Sequence, residues 1–262
     1  MALLVRWLRP EAAHSQDFSP AAPSGPQPGA AALLERALPQ GGGAWTLETA
    51  VTRWLASPSL ETRSAALAIG VGPLRAALGV SQTGDPELGW TSAAFAAGTC
   101  SREGGAALRV VGRRDRALGA LADGDLAGGA GLEAGAGAWL AASPALRLWA
   151  SVPQLWTGGP APPLARPLEM GARFGRDAFS AWCALEAPRG GDDGERVFGL
   201  SLPLAVGRAW AEGRDDPLRA SLGLSLELRG LRLETRADLH PVLGETTRMV
   251  IAWHARDAVA AP

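Results

Sequence analysis

Residues 219–240 alternate strictly between apolar and polar or small side chains, and the alternation changes phase at Arg229-Gly230. A period of two places every second side chain on the same face of a β-strand, so this segment predicts two antiparallel strands joined by a two-residue turn. The turn sets three pairs of residues opposite each other: Leu228 and Leu231, Leu226 and Leu233, and Glu227 and Arg232. Because a slip of one residue would mix the two faces, the pattern fixes the register.

The same period recurs in strand-length runs from Trp45 onward, separated by turn signals. Helical patterns of the ~15 residues typical of crossover helices are missing, so the sequence predicts an all-β antiparallel meander rather than βαβ units. The predicted strands are residues 45–55, 63–71, 74–82, 89–98, 105–113, 131–140, 145–154, 166–175, 178–187, 196–208, 219–228, 231–240 and 247–256. Residues 115–126 fit either a helical turn or a further strand.

Composition divides the chain into three parts. Residues 1–44 are rich in Pro, Ala, Gly and Ser, which bury too little surface to offset the entropy of ordering, so a flexible N-terminal arm is predicted. Within the arm, leucines on one face predict a short helix at 30–38, which Pro39 ends. Residues 45–257 form the predicted barrel domain, and residues 258–262 a tail.

Composition also excludes several classes of function. A net charge of −1 offers no basic surface for nucleic acid. Without lysine the chain cannot form a Walker A loop, a Schiff base or a serine–lysine dyad, so we predict no enzyme activity and no cofactor. His14, His240 and His254 are too few and too scattered for a metal cluster, and Cys100 and Cys183 define no disulfide framework.

The alternation leaves open whether the apolar face meets lipid or a protein core. The predicted strands, mostly about 8–13 residues long, match the ~9–11 residues of a membrane-crossing strand better than the ~5–6 of an ordinary strand. Several tryptophans lie near predicted strand ends, where interfacial aromatic residues belong: Trp54, Trp139, Trp156, Trp210 and Trp253. These features predict a transmembrane-type β-barrel of about 12–14 strands with a polar lumen.

Three features favour the alternative, a soluble β-sandwich or β-barrel interaction module without catalytic activity. The sequence as given shows no secretory signal, because two arginines soon interrupt its initial apolar run. Pro153 and Pro203 fall inside predicted strands, and each removes a donor from the ladder. The connection at 188–195 and the turn at 229–230 are expected at the same end of the sheet, which breaks any alternation of long and short connections.

The two faces of the last strands separate these hypotheses. Leucines such as Leu222 and Leu224 would pack beneath a second sheet in a sandwich, but would surround the outside of a membrane barrel. The opposite face carries charged residues that would line the lumen and tune what passes. These lumen-lining candidates are Glu227, Arg232, Glu234, Arg236, Asp238, Arg248 and His254.

Three segments of the C-terminal half together resemble bacterial outer-membrane barrels of the FadL/PorV-like group: residues 146–156, 167–174 and 231–248. The last segment is the most specific. Its turn motif, His240, Pro241 and Gly244, is similar to the turn that leads into the final strand of those barrels.

The resemblance implies a barrel of about 14 strands in contact with outer-membrane lipid. It implies a passive conduit for small molecules, hydrophobic ones included, or an accessory of a surface protein-export partner. The chain lacks the Asn-Pro-containing N-terminal segment usual in that group, which argues against transport through an N-terminal plug. The absence of Lys, Asn and Tyr, whose codons are AT-rich, indicates a GC-rich bacterium.

Overall fold

The computed structural model describes residues 29–40, 44–54, 60–84, 88–117, 129–160, 168–176, 179–187, 194–215, 218–240 and 244–255. In it, 14 antiparallel strands form one closed barrel, each pairing with its neighbour in sequence and β1 pairing with β14. The strands are β1 (Trp45–Arg53), β2 (Glu61–Val71), β3 (Leu74–Gly84), β4 (Leu88–Cys100), β5 (Gly104–Ala117), β6 (Ala130–Ser143), β7 (Leu146–Gly158), β8 (Leu168–Arg176), β9 (Phe179–Ala187), β10 (Glu195–Leu204), β11 (Gly207–Asp215), β12 (Leu218–Leu228), β13 (Leu231–His240) and β14 (Gly244–His254). The predicted antiparallel barrel is confirmed.

The hairpin of β12 and β13 has the predicted register. Its three expected pairs are all present: Leu228 with Leu231, Leu226 with Leu233, and Glu227 with Arg232. Arg229 and Gly230 have φ angles of 47° and 89°, so both turn residues adopt the left-handed conformation that a type I′ turn requires. The alternation of the sequence therefore determines both the pairing and the faces of this hairpin.

The strand that the sequence analysis missed is β11. The predicted strand at 196–208 in fact divides at a two-residue turn, Ala205-Val206, where Leu204 pairs with Gly207. Neither turn residue is Gly, Asp, Asn or Pro, so the apolar run through the turn gave no signal of it. The outward positions of β11 also carry Ala and Gly instead of the large apolar side chains seen on other strands.

The missed strand changes which connections share an end of the barrel. One end, here called the turn end, carries the start of β1, the end of β14 and connections of two or three residues only. The opposite end, the loop end, carries the remaining connections, the longest being residues 118–129. The connection at 188–194 and the turn at 229–230 therefore lie at opposite ends, and the expectation that they share an end is wrong.

The two prolines inside strands occupy positions where the ladder is already interrupted. Between β6 and β7 the register shifts around Gly135, and Pro153 lies in that irregular stretch. β9 pairs with β10 only as far as Ser201, so Pro203 has no register partner on β9. Because neither proline breaks a continuous ladder on both sides, the barrel closes around both of them.

Large apolar side chains cover the outside of the barrel. Leu222 and Leu228 are 57% and 51% exposed, and most strands contribute similar outward residues. In the part of the chain that the structure describes, no second sheet lies against this face. The sandwich form of the alternative is therefore wrong, and the leucines instead belong to an apolar belt on the outside of the barrel, of the kind that lipid requires.

Inside the barrel lies a short helix, α1 (Ala30–Arg36), within the range predicted at 30–38. Its Ala, Leu, Glu and Arg residues are strong helix formers, and Ala37 ends it with a φ of 53°. All seven helical residues are buried, so this part of the predicted flexible arm is packed in the lumen. The arm before Gly29 and the tail at 258–262 lie outside the described residues. No helix of the described chain is long and apolar enough to cross a membrane.

Candidate functional site: the barrel lumen

Residues 29–40, here called the plug, occupy the lumen against a wall of alanines. Ala30, Leu33 and Leu34 of the plug form one buried cluster with inward-facing side chains of β2–β5. The alanines of this wall are Ala66, Ala77, Ala94, Ala96 and Ala107. Their small size leaves room for a helix, so an N-terminal plug is present in the lumen. The sequence argument against transport through such a plug stays a prediction.

The start of the plug is held by Glu48 on β1. The backbone N–H of Ala31 donates to Glu48 Oε2 at 2.7 Å. The second carboxylate oxygen, Glu48 Oε1, accepts from Arg232 Nη2 of β13, also at 2.7 Å. A single carboxylate thus connects the plug to a lumen-lining candidate identified from the sequence.

The end of the helix is held by Arg109 on β5. Its Nη1 donates to the carbonyl oxygens of Leu34 at 2.8 Å and of Glu35 at 2.5 Å. The last carbonyls of a helix have no partner within the helix and carry partial negative charge, so a guanidinium satisfies both needs. Ser151 Oγ on β7 donates to the next carbonyl, that of Arg36, at 2.5 Å.

A buried ion pair fixes the side of the plug that faces β8. Arg36 Nε lies 2.8 Å from Glu169 Oε2, and the side chains are only 5% and 6% exposed. Glu169 Oε1 accepts from the indole of Trp149 at 2.8 Å, which orients the carboxylate. The indole of Trp139 donates to the carbonyl of Pro39. The plug is therefore held mainly by side chains of the barrel wall.

Four buried indoles line the lumen nearer the turn end: Trp139, Trp149, Trp182 and Trp210. The position of Trp139 and Trp210 near predicted strand ends had suggested that they lie at the membrane interface. That prediction is wrong, because both side chains face the lumen. The inward parity of each strand position overrides its closeness to the strand end. Trp156 and Trp253 do face outward, with 53% and 41% exposure.

Each of three lumenal indoles lies over a glycine on the next strand. The pairs are Trp149 with Gly171, Trp182 with Gly199, and Trp210 with Gly223. A Cβ built on any of these glycines would overlap the indole ring. The glycines therefore leave the room that these large rings occupy against the wall of the barrel.

A charged network fills the lumen nearer the loop end, centred on Arg214 of β11. Arg214 Nη1 lies 2.6 Å from Glu186 and 3.1 Å from Glu195, and Arg214 Nη2 lies 3.1 Å from Glu212. All four side chains are buried. The sequence analysis missed this network because Glu212 and Arg214 lie on β11, although their i, i+2 spacing could have revealed the inward face of a strand.

Five of the lumen-lining candidates face inward on β13 and β14, at strand positions Arg232, Glu234, Arg236, Asp238 and Arg248. Within this group, Arg232 Nε lies 3.3 Å from Glu234, and Arg236 Nε lies 2.6 Å from Asp238. Arg248 Nη1 donates to Thr52 Oγ1 at 2.8 Å. The structure brings these side chains together in ion pairs and hydrogen bonds; their role in tuning passage stays a prediction.

The remaining candidates lie nearer the barrel ends. Glu227 is exposed at the turn end, where it pairs in register with Arg232. His254 is half-buried at the same end, whereas His240 ends β13 at the loop end, so the two histidines do not meet. His240 pairs in register with Gly244. Pro241 of the turn motif lies outside the described residues.

Comparison with known proteins finds no matching family model and no matching curated protein. Solved structures do match. The Pseudomonas putida toluene transporter TodX is 9% identical, with 87% of this chain and 95% of that chain covered and a TM-score of 0.52. The Acinetobacter baumannii outer membrane protein Omp33 is 8% identical, with 81% and 98% covered and a TM-score of 0.50. The chain is thus similar in fold to outer-membrane β-barrels.

Proposed function

We propose that this chain is an outer-membrane β-barrel that works as a plugged conduit for small molecules. The observation that carries the proposal is the plug, which occupies the lumen of a closed barrel but belongs to no strand. A segment held by side chains can be displaced without breaking the ladder of the barrel. The neutral hydrogen bonds of the plug each contribute about 0.5–1.5 kcal/mol net, and those to charged groups about 1.5–3 kcal/mol.

The outer surface supports location in the outer membrane. Apolar side chains surround the barrel, and the end that carries both ends of the barrel chain has connections of two or three residues only, whereas the longer connections all lie at the other end. Outer-membrane barrels have short periplasmic turns and longer external loops. On this basis the turn end faces the periplasm and the loop end faces outward.

Two features support a relationship to the FadL/PorV-like group. The strand number matches the about 14 strands implied by the sequence resemblance, and the last hairpin carries the turn motif that suggested the group. Conduction of small molecules, hydrophobic ones included, is the activity we infer. For an accessory role in protein export we find no specific support, since plug and side chains fill the lumen.

Reconstitution in planar bilayers tests the plug. The wild type is expected to give low, infrequent conductance. Glu169→Gln leaves the buried Arg36 without its carboxylate, so the plug should leave the lumen more often and the open fraction should rise about tenfold or more, a change of ~1.4 kcal/mol. The double variant Arg36→Gln/Glu169→Gln removes both charges and should open less than Glu169→Gln alone.

The matched control is Arg63→Gln/Glu61→Gln, which removes an ion pair of 2.6 Å on the outer surface. That control should leave the conductance unchanged. The proposal fails if Glu169→Gln inserts as a folded barrel and its conductance equals that of the wild type.

A further inference from the structure

The outward-facing side chains of β2–β5 form three rows around the barrel, and in each row every residue pairs in register with the next. The row nearest the loop end is polar and exposed: Arg63, Gln82, Thr91 and Arg114. The next row toward the middle of the barrel has shorter side chains: Ala65, Val80, Ala93 and Gly112. The third row is large and apolar: Leu67, Leu78, Phe95 and Val110. Since successive rows are two residues, or about 7 Å, apart, the surface changes from polar to apolar over a short distance.

Gly112 forms the floor of a recess in this surface. A Cβ built on Gly112 would meet no atom closer than 4.0 Å. Its register partners on the two neighbouring strands are Ala93 and Leu132, and Val110 lies two residues closer to the middle of the barrel. Leu132 and Val110 are 43% and 42% exposed. The recess is therefore bordered by side chains of the apolar belt.

Arg114 lies beside this recess, two residues nearer the loop end than Gly112. Its side chain is exposed, and no ion pair involves it within the part of the chain that the structure describes. Its chain neighbour Asp115 faces the lumen instead, where Oδ1 lies 2.7 Å from Nε of Arg113. Thr91, the register partner of Arg114 on β4, adds an exposed hydroxyl group. A positive charge and a hydroxyl therefore lie together at the edge of an apolar recess.

Arg63, at the other end of the polar row, lies in a different environment. Its Nε is 2.6 Å from Oε1 of Glu61 on the same strand, so a carboxylate balances its charge. Three strand spacings, or about 14 Å, separate it from Arg114. The position that follows it in the second row is Ala65, where a Cβ is already present. Arg63 therefore shares the level of Arg114 along the barrel axis but has neither a free charge nor a glycine beside it.

We propose that Arg114, Thr91 and the recess at Gly112 bind a phosphate-bearing lipid of the outer leaflet. The phosphate accepts charge-assisted N–H bonds from the guanidinium of Arg114, which are stronger than neutral hydrogen bonds, and accepts a further bond from the hydroxyl of Thr91. An acyl chain then lies over Gly112 and continues along Val110 and Phe95. A lipid is the occupant, because the positive charge lies at the edge of the apolar belt, where the headgroup of a lipid meets its chains. The inference rests on the proposed location in the outer membrane.

Native mass spectrometry of the intact barrel in neutral detergent micelles tests the site. Dioleoyl phosphatidic acid is expected to bind at least about tenfold more tightly than dioleoylglycerol, which has the same chains without the phosphate, a difference of ~1.4 kcal/mol. Arg114→Gln should remove this preference. Gly112→Leu fills the recess and leaves every charge in place, so it should weaken the binding of phosphatidic acid by a similar factor. Arg63→Gln is the matched control and should leave the binding unchanged.

Stability separates binding from a structural role. Because a strand glycine offers no side chain to pack and its Cβ would meet open space, Gly112→Leu should keep or raise the free energy of unfolding of the lipid-free barrel. The proposal is overturned if the two lipids bind equally, if Arg114→Gln or Gly112→Leu binds phosphatidic acid like the wild type, if Arg63→Gln weakens binding as much as Arg114→Gln, or if inorganic phosphate at equal concentration displaces the lipid. Since the recess faces away from the lumen, such a failure would leave the conductance test of the proposed function intact.

Discussion

At the residue scale, three of the lumenal indoles occupy the space that a Cβ would take on the neighbouring strand. Gly199 and Gly223 lie beneath Trp182 and Trp210, which are 3% and 6% exposed. A glycine within a strand usually weakens it, because it adds backbone entropy and removes a packing surface. Here the indole supplies that packing surface. The glycines are therefore required by the shape of their neighbours.

Gly199→Ala and Gly223→Ala should each destabilise the barrel. The added methyl would overlap the indole ring, and overpacking of this kind costs about 1–3 kcal/mol. Gly213→Ala is the matched control, because a Cβ on that strand glycine would meet nothing within 4 Å. Urea unfolding in detergent, followed by tryptophan fluorescence, measures the difference. Equal stability of the Gly199 and Gly213 variants would contradict the steric account.

At the element scale, the hairpin of β12 and β13 shows what a strong local pattern determines. Its register and turn follow from the alternation of residues 219–240 alone. β11 could not be predicted in the same way, because its large side chains, such as Trp210 and Arg214, face the lumen. A strand whose outward side is Ala and Gly carries little signal of period two in hydrophobicity. Where the apolar face lacks large residues, the sequence pattern fails.

We predict opposite effects on the stability of the barrel for substitutions at the two turn residues of this hairpin. Arg229 has a φ of 47°, a left-handed conformation that costs a residue with a side chain ~1–2 kcal/mol and that Asn adopts more readily. Arg229→Asn should therefore stabilise the barrel by about 0.5–1 kcal/mol. Gly230→Ala should destabilise it, because Gly230 has a φ of 89° and its Cβ would lie 3.0 Å from the carbonyl oxygen of His254.

The same unfolding measurement in detergent checks both variants. Gly72→Ala serves as the control for backbone strain alone, since Gly72 has a φ of 58° and open space around its Cβ. Gly230→Ala should lower the free energy of unfolding more than Gly72→Ala does, because only the Cβ at position 230 would contact a carbonyl oxygen. A stabilising effect of Gly230→Ala would show that the turn is not of type I′.

At the scale of the whole molecule, closure of the barrel depends on strand patterns that are visible in the sequence, whereas the position of the plug depends on contacts between residues far apart in it. Closure follows from strand number and from the pairing of β1 with β14, which a meander of predicted strands can suggest. The plug depends on contacts between distant residues, such as Arg109 with Leu34 and Glu48 with Ala31. Composition predicted a flexible arm for that segment, and the spacing of its leucines predicted only the short helix. Neither could show that an alanine wall and a few polar side chains would hold the segment in place.

Lipid contact makes a prediction that depends on depth along the barrel axis. Phe95 lies in the middle of β4 and faces outward with 51% exposure, whereas Val71 ends β2 at the turn end with 73% exposure. Phe95→Arg should cost about 2–4 kcal/mol in a bilayer, and Val71→Arg about 0–1 kcal/mol, because the cost of a charge falls toward the interface. Both sites face away from the lumen, so neither variant disturbs the plug.

Reversible unfolding of the two variants from lipid vesicles, compared with the wild type, measures this difference. Detergent micelles deform around a charge, so in micelles the two variants should differ less in their free energy of unfolding. Equal costs for Phe95→Arg and Val71→Arg in the bilayer would mean that the outer belt does not lie in lipid. The proposed location in the outer membrane would then be wrong, because the same belt would need a protein partner to cover it.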